Sequence, residues 1–497
     1  MSYVVTQVCI GNKHTSCVDV CPVDAFREGP EMLFIDPEVC IDCNACITEC
    51  PEQAIYPESA VPADQQDFIS LNAKNSLIYP IIRESIDPNG TSTPKTKSDL
   101  LGRFAVVGSG PSGFYTAEAI LKQMPSATVD IFERLPTPFG LVRYGVAPDH
   151  PRIKSVSANF EHIANSSQVR FFGNVHIGKD IDREDLLNNY HSVIYATGGS
   201  QSRELQIPGA EHDNIFGSST FVSWYNGHPD QHDLQVTFVG KSAAVIGIGN
   251  VALDIARILI LPTEELEKTD IADHALEGLK SSNISDVYLF ARRGPAQAAF
   301  TPKELEQLMA ISNLDLIVDP KDLELDKASL AQLEQVESNE ARQNIALLKE
   351  ITQRKNRGGK RIQFMFFSSP TQINENNDNQ KFITLARTEL QQNSHGRLTA
   401  TTSDNTYDIQ ADLIVHAIGY QGETINDLPF DSQSGIISNQ QGRIDISNNS
   451  DSVQEYVAGW IKRGASGVIG SNKQCASDTV NQILNDIPTT LALIDSD

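Results

Sequence analysis

The sequence predicts a small α+β module at the N-terminus, followed by two α/β domains built as doubly wound parallel sheets. Three observations carry this expectation. Seven of the eight cysteines in the 497 residues lie between Cys9 and Cys50, where the apolar runs "YVVTQV" and "EMLFIDP" are only strand-sized. From Arg103 onward, short β-branched runs alternate with Gly-rich turns and helix-like stretches: "RFAVVG", "ATVDIFE", "HSVIYATGG", "SAAVIGIG", "DVYLFARR" and "ADLIVHAIG". Two of these units open on a glycine fingerprint, at Gly108 and at Gly247.

Length suggests two to four domains, and a composition 40% hydrophobic and 21% charged is that of an ordinary globular protein. Sixty-four acidic against 39 basic residues give a net charge of −25, which disfavours nucleic acid and anionic membranes. A protein partner is expected to present a basic surface. Residues 1–60 carry ten acidic and only two basic side chains, Lys13 and Arg27. Neither a basic-then-apolar leader nor an apolar run of membrane-spanning length is present, so a cytoplasmic protein without a membrane span is expected. Cysteines crowded together in a reducing compartment point to metal rather than disulfides.

Residues 1–60 read as the cysteine module, whose core is too small to stand without cofactors. "CIDCNACITECP" spaces Cys40, Cys43, Cys46 and Cys50 as C-x2-C-x2-C-x3-C-P. "CIGNKHTSCVDVCP" keeps Cys9, Cys17 and Cys21 but has Asn12 where a further cysteine would fall. In the bacterial ferredoxin run the fourth cysteine serves the other cluster, so Cys21 joins Cys40, Cys43 and Cys46 on a 4Fe-4S site. Cys9, Cys17 and Cys50 remain. Three thiolates suit a 3Fe-4S cluster; a 4Fe-4S cluster with a labile corner or an empty site are the alternatives. Structural zinc would close four ligands from paired loops and does not match the interleaving. The module resembles the seven-iron bacterial ferredoxins, both Cys-Pro pairs included. Cys475 is isolated and reads as an inert thiol.

Residues 61–102, with "PADQQDF" and "DPNGTSTPKTKSD", read as a connecting segment with a flexible end. Beyond it, "FAVVGSGPSGFYTAEAIL" places Gly108, Gly110 and Gly113 between a strand and a helix, and "VDIFER" follows with Glu133. The glycines let a pyrophosphate approach the helix N-terminus, and the acid accepts ribose hydroxyls, as in FAD or NAD. "AAVIGIGNVALDIARIL" repeats the pattern with Gly247, Gly249 and Ala252, but its next strand ends in Arg292 and Arg293. Paired guanidiniums suit a 2′-phosphate where an acid would repel it. FAD is therefore expected at the first Rossmann-like site and NADP(H) at the second. The polar, helix-prone stretch 325–360 reads as an excursion without evident chemistry.

Residues 103 to about 490 resemble the adrenodoxin-reductase-type ferredoxin–NADP+ reductases, through "VVGSGPSGFYTAE", "PFGLVRYGVAPDHPRIK", "GIGNVALDIAR", "RRGPAQAAFTPKEL" and "VAGWIKRGASGVIGSNK". With its ferredoxin module, the whole chain resembles the bacterial members that carry an N-terminal seven-iron domain. The resemblance implies an FAD-binding domain of 103–204 plus 412–497 with an NADP-binding domain, 205–411, inserted. It also implies that Ser112, Glu133, Leu141, Ile177, Trp460, Gly467, Val468 and Ile469 contact FAD. Ile248, Gly249, Asn250 and Val251 would hold the NADP pyrophosphate, Arg292 and Arg293 the 2′-phosphate, and Glu304 the nicotinamide end. His150 would help shape the reacting site with Glu304. One departure is Ala465 in "RGASGV", where the family often has proline.

Hydride transfer moves two electrons and iron–sulfur clusters take one, so a flavin between them resolves the mismatch. The expected reaction is hydride transfer between NADPH and FAD, then single electrons through the clusters to or from a ferredoxin, a cytochrome P450 system or another one-electron acceptor. Potentials set the direction. An electron-input module for a synthase is the alternative within this class; a non-catalytic redox sensor or scaffold is the alternative outside it.

Overall fold

The computed structural model describes residues 2–82, 102–334, 339–392, 398–445 and 454–486. The chain divides into two compact units, one of Met1–Val146, His150–Ser200 and Tyr420–Asp497, the other of Ala147–Asp149 and Gln201–Gly419. No helix among the described residues is long and apolar enough to cross a membrane.

In the first unit the cysteine module holds two antiparallel ribbons, Tyr3–Val5 with Ile55–Pro57 and Phe26–Glu28 with Leu33–Ile35. Short helices at Ser16–Asp19 and Ala45–Glu49 each carry a cysteine into the interior, Cys17 and Cys46. Its core includes five of its cysteines: Cys9, Cys17, Cys21, Cys40 and Cys46 are buried among Tyr3, Val5, Phe26, Leu33 and Ile35. Arg27 is buried beside them because its guanidinium pairs with Asp36 at 2.9 Å and donates to the Asp24 and Phe26 carbonyls.

The module does not end at residue 60. Asp67–Ser76, inside the stretch read as a connector, is a helix docked on the module. Asn72 explains the docking. Its buried Oδ1 accepts the Val5 and Ile35 amides at 3.1 and 2.9 Å, and its Nδ2 donates to the Val5 carbonyl at 2.8 Å. One side chain thus completes both ribbons. Beyond the helix, Tyr79 stacks on Phe34 at 5.6 Å, and Glu28 donates its amide to the Pro80 carbonyl. The "DPNGTSTPKTKSD" stretch, like residues 487–497 of the expected FAD domain, lies outside the described residues.

The rest of the first unit is a seven-stranded sheet whose five-strand parallel core runs Gln454–Val457, Ser192–Tyr195, Arg103–Val107, Thr128–Phe132, Val169–Phe172. Helices Pro111–Gln123 and Ile469–Asp486 pack on it, with Phe104, Phe114, Ile131, Tyr456 and Val480 fully or nearly buried between them.

The second unit is a six-stranded, all-parallel sheet, in order Ile215–Gly217, Leu413–His416, Ser242–Ile246, Asp286–Phe290, Lys360–Met365, Leu314–Val318. Leu413–His416 lies inside this sheet, so the unit runs to Gly419 rather than stopping at 411. A three-stranded antiparallel sheet, Ser368–Glu375, Lys381–Gln392 and Leu398–Gln410, is added to it in sequence. The polar stretch 325–360 yields helices Lys327–Leu333 and Asn339–Gln353, the latter burying Leu348 and Ile351 in the core of this unit.

Asn72→Leu leaves two buried amides unpaired, and is expected to destabilise the cysteine module by about 2–4 kcal/mol. Denaturant unfolding followed by cluster absorbance checks this; unchanged stability would sink the role given to Asn72.

Candidate functional site

The seven module cysteines fall into two groups. Burial raises Cys46 well above the ordinary thiol range, and the neighbouring charges of Cys43, Cys21 and Cys40 push it further. Cys43 is pushed up to about 12 by burial, reinforced by Cys21 and Cys40. Cys17 is likewise raised to about 12 by burial and then by Cys50 and Cys9. Within each group, burial and the neighbouring sulfurs oppose ionisation. Such a donor set fits a group that brings positive charge, and soft thiolates select iron–sulfur clusters among such groups. Backbone amides already point at two of the sulfurs: Ala25 donates to Cys21 Sγ and Ala54 to Cys50 Sγ, both at 3.3 Å.

Cys9, Cys17 and Cys50 line a small cleft together with Asn12, His14 and Glu52. Asn12 is exposed and its Nδ2 donates to the Val8 carbonyl at 3.4 Å, while His14 Nε2 lies 3.2 Å from Glu52 Oε1. Cys475 is buried apart from both groups and accepts the Gly459 amide at 3.3 Å.

In the first unit, each fingerprint glycine has a distinct duty. Gly108 has φ +105°, and a Cβ there would meet the Ala196 carbonyl at 2.6 Å. A Cβ on Gly113 would meet the Gly108 carbonyl at 2.1 Å. Gly110, capping the helix Pro111–Gln123, has nothing nearer than the Gly140 Cα at 4.0 Å. Turn, helix packing and ligand approach are thereby separated, the arrangement that seats a pyrophosphate on a helix N-terminus. Glu133 stands at the tip of Thr128–Phe132, its carboxylate held by the Ser109 amide and hydroxyl at 3.0 and 2.7 Å and by the Leu135 amide at 3.0 Å.

Phe139 donates its amide to the Ser109 carbonyl and takes φ +90°, an unusual conformation for a non-glycine residue, just before the helix that begins at Leu141. Ser112 donates to Asn472 Oδ1 at 3.2 Å, and Arg463 donates to the same oxygen at 2.9 Å. This network ties the fingerprint helix to the turn carrying Gly467, Val468 and Ile469. Trp460 Nε1 donates to the Ser466 carbonyl at 2.9 Å and so braces that turn across Ala465. Ile177 is buried with Phe132, Tyr195 and Val457, which leaves its backbone rather than its side chain for a ligand. His150 caps the helix Pro151–Lys154.

The second unit repeats the glycine logic. Gly247, at φ +137°, would push a Cβ to 2.3 Å from the Ala417 carbonyl, and Gly249 is open to 3.9 Å. Asn250 begins the helix Asn250–Ile260 and accepts the Thr301 amide at 2.8 Å, while the Ile248 carbonyl accepts from Ala299; Val251 lies half-buried beside them. Arg292 and Arg293 follow the strand Asp286–Phe290, both exposed, and among the described residues no carboxylate pairs with either. Desolvation and then the charge of Arg292 hold Arg293 below its ordinary value.

Glu304 is buried in the helix Pro302–Ala310. The residue that governs it is Arg257, whose guanidinium meets Asp149 at 2.5 Å, Asp254 at 2.6 Å and Glu304 at 3.2 Å. Despite burial, Asp254, Asp149 and Glu304 together hold Arg257 above its ordinary value. Arg257, Asn472 and Arg463 were not marked by sequence reasoning, although all three stand inside the quoted family motifs.

Residues 102–288 match the pyridine nucleotide-disulphide oxidoreductase family, and residues 32–55 match a 4Fe-4S binding domain. The chain is 44% identical to the NADPH-ferredoxin reductase FprA of Mycobacterium leprae, over 77% of this chain and 83% of that protein. It is 37% identical to the "Probable ferredoxin/ferredoxin–NADP reductase" of Mycobacterium bovis, over 98% of this chain and 84% of the relative. The solved structure of Mycobacterium tuberculosis FprA in complex with NADPH superposes with a TM-score of 0.73 at 42% identity, covering 78% of this chain and 84% of that one. The chain therefore belongs to the ferredoxin–NADP reductases of the adrenodoxin-reductase type, in the form that carries its own iron–sulfur domain.

Proposed function

We propose that this flavoprotein moves electrons between NADPH and a one-electron acceptor of the ferredoxin type, with a cytochrome P450 system as a further candidate acceptor. The observation that carries this reading is the contrast at the strand tips. Glu133 ends the strand beside the first fingerprint, where an acid favours the unphosphorylated ribose of FAD. Arg292 and Arg293 end the corresponding strand of the second, where paired guanidiniums favour the 2′-phosphate of NADP(H). The flavin supplies the conversion between a hydride and single electrons.

The chain's own residues then have the following work. Ser112, Leu141, Trp460, the backbone at Ile177 and the turn Gly467–Ile469 orient the flavin, and the Asn472 network fixes that turn. Ile248, Gly249, Asn250 and Val251 bring backbone amides to the nicotinamide dinucleotide's pyrophosphate. Glu304, pinned by Arg257, orients the nicotinamide end, and His150 helps shape the reacting site. The division into ferredoxin, connector, FAD and NADP domains is part of this reading, with the module extended to 82. Cys21, Cys40, Cys43 and Cys46 hold a 4Fe-4S cluster, and Cys9, Cys17 and Cys50 a 3Fe-4S cluster. Support for the latter is that Asn12 and His14 are engaged elsewhere, with Val8 and Glu52.

Under anaerobic conditions NADPH should bleach the flavin of the purified protein; a protein without FAD, or one that NADPH leaves yellow, would falsify the assignment. Arg292→Ala with Arg293→Ala removes two charge-assisted contacts of about 1.5–3 kcal/mol each, so the preference for NADPH over NADH should fall on the order of 100-fold or more. The ratio of kcat/KM for the two nucleotides measures it, and an unchanged ratio refutes the 2′-phosphate site. Arg257→Leu strands three carboxylates in the second unit and should cost about 3–5 kcal/mol of its stability, read by calorimetry. Asn12→Cys should abolish the low-temperature EPR signal of the oxidised three-iron cluster and add a second four-iron signal on reduction; absence of the three-iron signal from the unmodified protein removes that cluster from the scheme.

A further inference from the structure

Within the first unit, the cysteine module rests on the same helices that carry the first dinucleotide site. The contacts that follow lie on the side of the module that carries Cys21, Cys40 and Cys43. Arg152 donates to the Cys40 carbonyl at 2.8 Å and to the Pro37 carbonyl at 3.0 Å. Lys473 donates to the Cys21 carbonyl and to Asp24, both at 3.1 Å. Asn159 donates to the Pro22 carbonyl at 2.7 Å. Ile41 is buried in one apolar core with Phe104, Phe114 and Ile131, and Val23, Cys43 and Ile469 pack against that core.

The approach is closest at Gly470, one residue past the Gly467–Ile469 turn. A Cβ there would meet the Val20 carbonyl at 2.2 Å and the Ala45 Cβ at 2.6 Å, neighbours of Cys21 and Cys46. No described hydrogen bond from beyond residue 102 reaches Cys9, Cys17 or Cys50. Val8 and Ile10, on either side of Cys9, are each 42% exposed.

Tyr115 supplies an independent observation. It lies on the first fingerprint helix, 2% exposed, and its buried hydroxyl has no hydrogen-bond partner in the protein. Leaving such a group unpaired is costly, so it marks the place of a missing acceptor. Tyr115 shares its buried core with Ile41, and Cys43 and Val23 of the module pack against that core. Burial first, then Glu118 and the sulfurs of Cys43 and Cys21, push its pKa well above the ordinary phenol range, so the hydroxyl keeps its proton to donate.

We propose that Tyr115 donates a hydrogen bond to a sulfur of the cluster on Cys21, Cys40, Cys43 and Cys46, which Arg152 and Lys473 clamp against the FAD-binding helices. This cluster is then the one that exchanges electrons with the flavin, and the Cys9, Cys17, Cys50 site is the outward relay. Each passage removes one electron from the reduced flavin and adds one to the cluster, with NADPH as the source. The inference rests on the functional reading above for the presence of flavin and clusters.

The test is an EPR-monitored redox titration, with mediators and dithionite, of the holoprotein and its Tyr115→Phe and Lys473→Met variants. Hydrogen bonds to sulfur and nearby positive charge both favour the reduced cluster. Either variant should therefore lower the reduced-to-oxidised ratio of the four-cysteine cluster about tenfold at a fixed potential, a 59 mV negative shift for one electron. The three-cysteine signal and the rate of flavin bleaching by NADPH should stay unchanged, and Lys473→Arg should retain the unmodified potential. Tyr115→Phe keeps the ring that packs the core, so its result does not depend on Lys473→Met folding. A shift at the three-cysteine cluster, an equal shift at both, or none at either overturns the proposal. Because dithionite bypasses NADPH, a failure of flavin bleaching would count against the functional reading and leave this outcome legible.

Discussion

Buried thiolates cannot share a small volume unless something positive lies among them. That constraint governs the N-terminal module more than any packing preference does, because the cysteines that would repel one another are also a large share of its core. In modules of this kind metal binding contributes directly to folding, and the apolar ribbons here are only three residues long. The same constraint explains the amides aimed at Cys21 and Cys50 and the cations that hold the Cys21 and Cys40 carbonyls. Each places positive dipole or charge where the sulfurs need it.

The two parallel sheets solve an opposite problem with a shared device. A dinucleotide brings negative charge, and both fingerprints offer it an uncrowded glycine at a helix N-terminus while packing the other small residues tightly. What differs is the tip of the following strand. In one sheet the carboxylate of Glu133 is fixed by three donors, so it stays placed before any ribose arrives. In the other, two exposed guanidiniums lack any described counter-ion. One backbone design thus carries side-chain charge of opposite sign at the tip of the following strand in the two sheets.

Much of this was legible in the sequence because it is encoded at short range. Cysteine spacing, the G-x-G-x-x-G and G-x-G-x-x-A runs and the residues ending the next strands all act within a few turns of chain, and the fold class follows from their order. The residues that escaped sequence reasoning act over long separations. Asn72 bonds to Val5, Asn472 to Ser112 and Arg257 to Asp149, and in a linear reading Asn72, Asn472 and Arg257 are ordinary polar residues on helices. The helix 67–76 was hidden by a polar composition whose one decisive member, Asn72, is buried. The strand 413–416 looked like the return to the first sheet, since nothing local reveals which sheet a β-branched run will join.

The helix pinned by Asn72 also fixes where the electron-carrying module ends as a transferable part. A fragment cut at residue 60 keeps all seven module cysteines yet discards Asn72, whose side chain bridges its two ribbons, along with the 80–82 edge that caps Phe26–Glu28. The unit that recombination could move intact between proteins is thus about a third longer than the cysteine pattern advertises, and the apparent tether begins inside it.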